Sequence, residues 1–343
     1  MSTVRMATDV NELPSGLASM LLSSGGSVAK MRQAQHRTAE MRGLAPLWKR
    51  TEEMIDDAVV RIGREGLVIA ADRIDQFSVP MPNWLANLTL TSHKVGESRR
   101  ANVGMVPGSM PDGGGIQDKV PYTHPIYLIW DEAGFNVREL AAAQQMGRPL
   151  ETDEVEQAVR NVNFAAEDII INGLDVNIAG HASPGLLDTT NTQAYETNTA
   201  WDNAGKTGAE IVTDVLAMRA VLSADKYYGP YTLYVPTLYG AALQRPFDSA
   251  GGTSVTIQGF LQQLEFGGRN LRLRTADLLP ANRTLLVQDT AQVCDVIVGQ
   301  APVAINPKPE LEFSSKWLVY ACIVPRVKSN ILGNFGICAG NTT

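Results

Sequence analysis

Apolar positions change period several times along the chain, and each change marks an element. Met54, Ile55, Ala58, Val59 and Ile62 recur at helical spacing behind Thr51, a good N-cap. Gly63 and Gly66 weaken the end of that helix, and Pro80, Pro82 and Trp84 mark a turn. Residues 126–130 form an apolar run of strand length, followed by a short helical stretch ending near Gly147-Arg148-Pro149. The clearest pattern starts at Thr152. Glu154 and Glu156 lie in the first turn, where carboxylates favour the positive end of the helix dipole. Val155, Val159, Val162, Ala166 and Ile169 then form one apolar stripe, and Asn172-Gly173 supplies the stop.

Residues 181–188 read as a turn region containing Pro184-Gly185. Thr207 and Glu210 are spaced as a capping box ahead of Ile211, Val215, Met218 and Leu222. A strand is expected over 231–235, a helix opened by proline over 236–244, and strands over 271–274, 284–287 and 294–298. Residues 316–324 make an apolar run that Pro325 breaks, and a further run extends from 327 to 337. Helices and strands alternate without a βαβ rhythm, so the expected class is α+β rather than a doubly wound sheet.

Residues 92–119 fit neither period. Six glycines fall between Gly96 and Gly115, with Pro107 and Pro111 among them, and strand-like apolar positions occur only at the edges. Arg99 and Arg100 sit in the first half, and Asp112 to Gly115 reads as a tight reversal. A stretch this long cannot bury itself on its own core, and long loops inside compact domains are usually functional or disordered.

Composition narrows the classes. Of 343 residues 44% are hydrophobic but only 19% are charged, against roughly 25% charged in an average soluble domain. The chain can build a core yet has few charges for its outside. A net charge of −7 argues against nucleic-acid or anionic-membrane binding as the main task. The longest apolar runs are too short for a membrane-spanning helix. Cys294, Cys322 and Cys338 have no CxxC spacing, so they are expected to be core thiols in a reducing compartment. Residues 1–48, rich in Ser, Gly, Met and Gln, read as an extension ordered, if at all, against a partner.

Tests for catalytic chemistry fail one after another. Gly205-Lys206-Thr207 resembles the end of a phosphate-binding loop, but position 200 is Ala200 where the pattern needs glycine. His36, His93, His124 and His181 are far apart and show no ligand spacing. Ser183 is followed by Pro184 and lacks the glycine of a nucleophile elbow. Glu52-Glu53 and Asp56-Asp57 fit a solvated helix face. No catalytic, metal or cofactor site is therefore expected.

Five stretches, in order, carry a resemblance. They are Val155-Glu156-Gln157-Ala158-Val159-Arg160-Asn161-Val162, Pro184-Gly185-Leu186-Leu187, Gly229-Pro230-Tyr231-Thr232-Leu233, Val296-Ile297-Val298-Gly299-Gln300, and the closing run from Trp317 to Pro325. Residues 150–338 thereby resemble the encapsulin nanocompartment shell proteins and the major capsid proteins of tailed bacteriophages, which share the HK97-type capsid fold. The resemblance implies an N-terminal extension over 1–48, an N-terminal arm over 49–91 and an extended loop over 92–119. A peripheral domain with a long spine helix would then occupy 120–204, an axial domain 205–304, and peripheral return strands 305–343.

The resemblance implies assembly rather than catalysis. Residues of the implied assembly loop are Lys94, Arg99, Arg100, Gly113, Gly114 and Gly115, and the family-motif positions are Gly229, Pro230, Tyr231, Gly299 and Gln300. The implied partners are further copies of the chain in pentamers and hexamers, with a portal and scaffolding or decoration proteins. The expected product is an icosahedral shell in a virion, assembled in the host cytoplasm, that encloses double-stranded DNA without sequence-specific binding. An encapsulin nanocompartment enclosing a cargo enzyme is the alternative, and a soluble enzyme or binding domain with a glycine-rich lid is a third. Lys94 and Lys119 lie in or beside the loop, but no motif fixes a crosslinking partner for either.

Overall fold

The long apolar stripe anchors the architecture. In a computed structural model, which describes residues 68–96, 119–136, 150–174, 177–178, 180–190, 192–247, 255–305 and 314–342, a helix runs over Leu150–Asn172 (α2). It begins two residues before the expected Thr152. Val155, Val159, Val162, Ala166 and Ile169 on it are all buried, as 3.6-residue periodicity requires of one helix face. Ahead of it come a helix over Ile69–Phe77 (α1) and strands Ser78–Pro80 (β1), Thr89–Val95 (β2), Lys119–Pro125 (β3) and Ile129–Asn136 (β4). After it come Gln193–Thr197 (β5), helix Gly208–Ala224 (α3), Tyr231–Pro236 (β6), helices Thr237–Leu243 (α4) and Ile257–Gln263 (α5), and the short hairpin Glu265–Phe266 (β7) with Arg269–Asn270 (β8). Strands Arg272–Ala276 (β9), Arg283–Gln288 (β10), Cys294–Ile305 (β11), Ser314–Val327 (β12) and Ile337–Thr342 (β13) complete the chain.

These strands form two main sheets. One has the order β1-β11-β12-β4, the other β5-β13-β10-β6-β9, and β2 pairs only with β3 in a separate ribbon. Period-two alternation assigns the faces. On β12, Trp317, Val319, Ala321 and Ile323 join the core under α2, while Leu318, Tyr320 and Cys322 join a second cluster with Trp84, Ile126 and Ile305. On β6 and β10, Tyr234, Leu285 and Val287 face the first core, and Leu233, Val235 and Leu286 face a third, built on α3. A strand with a core on each side reads as one continuous apolar run, which is why these strands are visible in the sequence without alternation. The sheets draw strands from across the expected segment bounds: β11 lies with β12 and β4, whereas β5 and β13 lie with β6 and β10.

Local chemistry accounts for the start of α3 and the end of α2. Thr207 is the N-cap of α3 in a full capping box, its hydroxyl accepting from the Glu210 N–H at 3.3 Å and its own N–H donating to Glu210 Oε2 at 2.7 Å. Gly173 ends α2 with φ of 81°, and a Cβ there would lie 2.4 Å from the Gly185 nitrogen. The Asn172-Gly173 stop and the Pro184-Gly185 turn are thus one close backbone crossing.

Three expectations change. Residues 126–130 are not one strand: the Ile126 N–H closes the ribbon on the Leu88 carbonyl at 2.9 Å, and β4 opens only at Ile129. Pro325 does not break β12, because β4 pairs with Ser314–Ala321 and, among the described residues, no strand covers that edge of β12 at Pro325, where a missing N–H costs no ladder bond. β11 runs on to Ile305 past Val298, through register shifts on either side of Gln300. The helix expected behind Thr51 and the helical stretch ending near Gly147 lie outside the described residues, as does the 1–48 extension.

Candidate assembly surface

The stem of the glycine-rich loop is an antiparallel ribbon with Val95 opposite Lys119 and Thr89 opposite Pro125. The strand-like apolar positions at the loop's edges become this ladder, which among the described residues pairs with neither main sheet but packs its base, Leu90 and His124, against the body. Thr91, His93, Lys119 and Pro121 on one face are exposed, while His124 and Pro125 at the base are buried. The other face carries a row of interlocked side chains. Lys94 Nζ lies 5.0 Å from the Tyr122 ring centroid, and Tyr122 meets the His124 ring edge-on at 4.5 Å. Ser92 Oγ is 3.1 Å from His124 Nε2. Burial, with the nearby Arg326 charge, pulls the His124 pKa down to about 4, so the imidazole is neutral at neutral pH.

Of the expected loop residues, Lys94 alone falls in the described structure. Arg99, Arg100, Gly113, Gly114 and Gly115 lie outside it. The family-motif positions are packing points. A Cβ on Gly229 would lie 2.3 Å from the Gln288 side chain, the Pro230 carbonyl accepts from the Asp289 N–H at 2.8 Å, and Tyr231 is 2% exposed with its hydroxyl donating to the Tyr227 carbonyl at 2.5 Å. A Cβ on Gly299 would lie 2.7 Å from the Trp84 Cβ, and Gln300 Nε2 donates to the Ala301 carbonyl at 3.2 Å. Close approach favours glycine at 299, where the Trp84 Cβ cannot swing aside, whereas at 229 the Gln288 side chain could move to admit a Cβ.

Two of the groups weighed for catalysis, Lys206 and Ser183, are packed into the subunit, while His36, Glu52, Glu53, Asp56 and Asp57 lie outside the described residues. Lys206 pairs with Asp214 at 2.6 Å and donates to the Thr199 carbonyl at 2.9 Å. Trp201 Nε1 donates to the same Asp214 at 3.0 Å, so the lysine is tied into the α3 core. Ser183 is buried beside the Tyr127 hydroxyl. Burial pushes the Cys294 thiol up to about 11 and those of Cys322 and Cys338 up to about 12. Among the described residues, no group of three or more His, Cys, Asp or Glu side chains is placed to hold a metal, and no helix is long and apolar enough to cross a membrane.

Sequence reasoning passed over the helix α1 and the buried charges around it. Arg73 is wholly buried and donates to Asp289 at 2.8 Å and to the Tyr234 hydroxyl at 3.1 Å. Glu167, 1% exposed on α2, accepts from the Val68 and Ile69 N–H groups at 3.1 and 3.3 Å. The spacing of Ile69, Ala70, Ile74 and Phe77 carried a helical signal, overshadowed by the adjoining prolines.

Solved structures share this fold. The virus-like particle from Pyrococcus furiosus superposes with a TM-score of 0.57 at 16% identity, over 84% of this chain and 98% of that one. The capsid of the Myoviridae phage XM1 gives 0.60 at 12% identity, over 81% and 92%. The capsid of an empty GTA particle gives 0.52 at 11% identity, over 81% and 92%. The chain has the HK97-type capsid fold expected from its motifs. No curated protein matches the sequence. Residues 90–340 match DUF6260, a family of unknown function, and since that span covers well over half of the sequence, the chain belongs to this family.

Proposed function

We propose that this chain is a major capsid protein, a structural subunit that self-assembles into an icosahedral shell around double-stranded DNA. The observation that carries the reading is the extent of the likeness: at least nine-tenths of the XM1 and GTA capsid chains is covered by this one. The ribbon supports it, since a two-stranded stem with an open face gains stability from a neighbour more readily than from its own subunit. Residues 92–119 then act as an assembly arm reaching over the adjacent copy. The segment carries Lys94, Arg99, Arg100 and Lys119 against Glu97, Asp112 and Asp118, so its charge is close to balanced and its docking need not rest on electrostatics. Many modest contacts suffice, because a closed shell multiplies interfaces per subunit. Charge depletion suits such interfaces. A negative subunit also grips enclosed DNA weakly, which helps a genome that must enter and leave.

A nanocompartment shell is the second reading, favoured by the virus-like particle, 98% of whose chain is covered. The 48-residue extension and the long loop favour the capsid. Expression of the full chain, with size-exclusion chromatography and negative-stain microscopy, tests both. Particles or capsomers are expected, and a clean monomer at every salt and protein concentration would overturn both in favour of a soluble domain with a lid. Native particles holding DNA and a portal support the capsid; particles holding an enzyme cargo support the compartment.

A further inference from the structure

Two neighbouring loops present exposed apolar side chains on backbone that is fixed from several sides. The first follows α3. Its Lys226 N–H donates to the Ser223 carbonyl at 3.1 Å and its Tyr227 N–H to the Leu222 carbonyl at 3.0 Å, the paired bonds of a Schellman stop. Lys226 holds the left-handed position, with φ of 65°, where glycine is usual. Gly229 is closed in by the β7–β8 turn, since a Cβ on Gly267 would lie 2.6 Å from the Gly229 carbonyl carbon. Between these two restraints stands Tyr228, 69% exposed.

The second loop joins β12 to β13. The Gly333 N–H donates to the Asn330 carbonyl at 3.1 Å, the Asn334 N–H donates to Asn330 Oδ1 at 2.9 Å, and Gly333 takes φ of 81°. Turn centres favour small and polar residues, yet this one carries Ile331 and Leu332, 37% and 69% exposed. The Tyr227 hydroxyl donates to the Asn334 carbonyl at 3.0 Å and so joins the two loops. Among the described residues, Tyr228 and Leu332 are the most exposed large apolar side chains. Single exposed apolar residues are common, but a fixed group of them on adjoining loops marks a contact surface.

A matching segment lies on the chain itself. Residues 97–118 leave the ribbon beyond the Val95–Lys119 pair and carry Val103, Met105, Val106, Met110 and Ile116, with no aromatic residue. Their charges, Glu97, Arg99, Arg100, Asp112 and Asp118, nearly cancel, which suits an apolar seat better than a charged one. Methionine side chains adapt to irregular surfaces and pack well on aromatic rings. Doubled back from the ribbon end, about 11 residues in each limb span at most about 36–40 Å. That reach exceeds the ~30 Å diameter of a small domain.

We propose that the Tyr228 and Leu332 loops form the seat for residues 97–118 of a second copy, with Met105, Val106 and Met110 lying across Tyr228, Ile331 and Leu332. This seat rests on the shell reading and adds to it the surface on which the arm lands. Loops already fixed lose little freedom on contact, so the ordering cost falls mainly on the arm.

Crosslinking in assembled particles tests it. Full-length chains carrying Leu332→benzoylphenylalanine, half of them labelled with heavy nitrogen, are assembled together and irradiated. The crosslinked peptide should fall within residues 97–118 and join labelled to unlabelled chains. The double change Tyr228→Ser with Leu332→Ser should leave a soluble subunit that melts within a few degrees of the wild type, because both side chains face water, and should abolish particles. If the photoreactive chain does not assemble, hydroxyl-radical labelling of the wild type decides. Tyr228, Leu332, Met105 and Met110 should then all be several-fold less oxidised in particles than in dissociated subunits. A crosslink to another segment or only within one chain, full particle yield from the double variant, or equal labelling in both states would overturn the seat and leave the shell standing. A wild type that forms no particle would overturn the shell reading, and the seat with it.

Discussion

Arg73 on α1 holds Asp289 at 2.8 Å across 216 residues of sequence, with the arginine side chain wholly buried and the aspartate 7% exposed. Thr232 donates to the other Asp289 oxygen at 2.5 Å, and Tyr234 accepts from Arg73 at 3.1 Å while donating to Asp72 at 3.4 Å. The pair ties α1 to the end of β10 in the five-stranded sheet. A charge this deeply placed is tolerated only with its partner. Asp289→Asn should therefore destabilise the protein by about 3–5 kcal/mol, the range for stranding one member of a buried pair. Arg73→Lys should also destabilise, because a shorter and more strongly hydrated ammonium would have to reach Tyr234 and Asp289, which Arg73 holds through the one nitrogen Nη2. Denaturant unfolding of the purified variants measures both.

Asp295 predicts an acid limb in the stability profile. It is 2% exposed, and Arg326 grips it with two nitrogens at 2.7 and 2.5 Å while Lys328 lies at 2.6 Å. Burial alone would raise its pKa, but the hydrogen bonds from Arg326 and Lys328 more than offset that and leave it lowered. A depressed carboxylate contributes stability above its unfolded pKa and loses it as pH falls through the folded one. The wild type should lose stability below about pH 4, and Asp295→Asn should start less stable at neutral pH and flatten that limb. Thermal unfolding from pH 2.5 to 7 would show it, and parallel curves for the two proteins would refute the assignment.

The crossing of Gly173 and Gly185 sets the end of the spine helix. A Cβ on Gly185 would lie 2.3 Å from the Gly173 nitrogen and 2.5 Å from the Asn172 carbonyl carbon, both backbone atoms that cannot swing aside. Gly185→Ala should cost about 2 kcal/mol or more. Gly205→Ala, whose nearest neighbour would be the Asn203 side chain at 3.5 Å, should be nearly neutral by this route. Comparing the two melting temperatures separates steric crowding from a general glycine effect.

How much of this was legible depends on how local the cause is. The spine helix, its Asn172-Gly173 stop and the Thr207–Glu210 box rest on residues within a few positions of each other, and the sequence displays them directly. The continuous strands at β6, β10 and β12 showed as apolar runs because both their faces are buried. Nothing in the local sequence marks Arg73, Glu167 and Asp295 as buried, since their partners lie 216, 98 and 31 residues away. Pro325 misled because its tolerance depends on where β4 stops, which is a property of the neighbouring strand. The ribbon was seen only as an oddity of composition. Its pairing register is fixed across the glycine-rich segment, beyond the reach of local pattern.

The three thiols predict a reactivity test of the whole fold. Cys294, Cys322 and Cys338 are free and each 0% exposed, on β11, β12 and β13. With their pKa values raised by burial, neither access nor thiolate is available to a reagent in the native state. Native protein should show essentially no reaction with a thiol-specific dye over minutes, and all three should react on unfolding. Fast labelling of one thiol without denaturant would mean that its sheet opens locally.

The ribbon register gives the sharpest test of the assembly arm. Deleting residues 96–115 joins Val95 to Ile116 and leaves residues 116–118 to close the Val95–Lys119 pair, a three-residue connection of the length hairpins use. The stem and both main sheets can therefore stay intact while the arm is lost. The variant should be soluble, melt within a few degrees of the wild type and fail to form particles by negative-stain microscopy. Lys94 keeps its place over Tyr122 at 5.0 Å in that variant, so a loss of assembly would trace to the removed segment rather than to the stem. Normal shells from the deletion would remove residues 96–115 from the assembly mechanism, and an unfolded product would show that the segment contributes to the subunit's own stability instead.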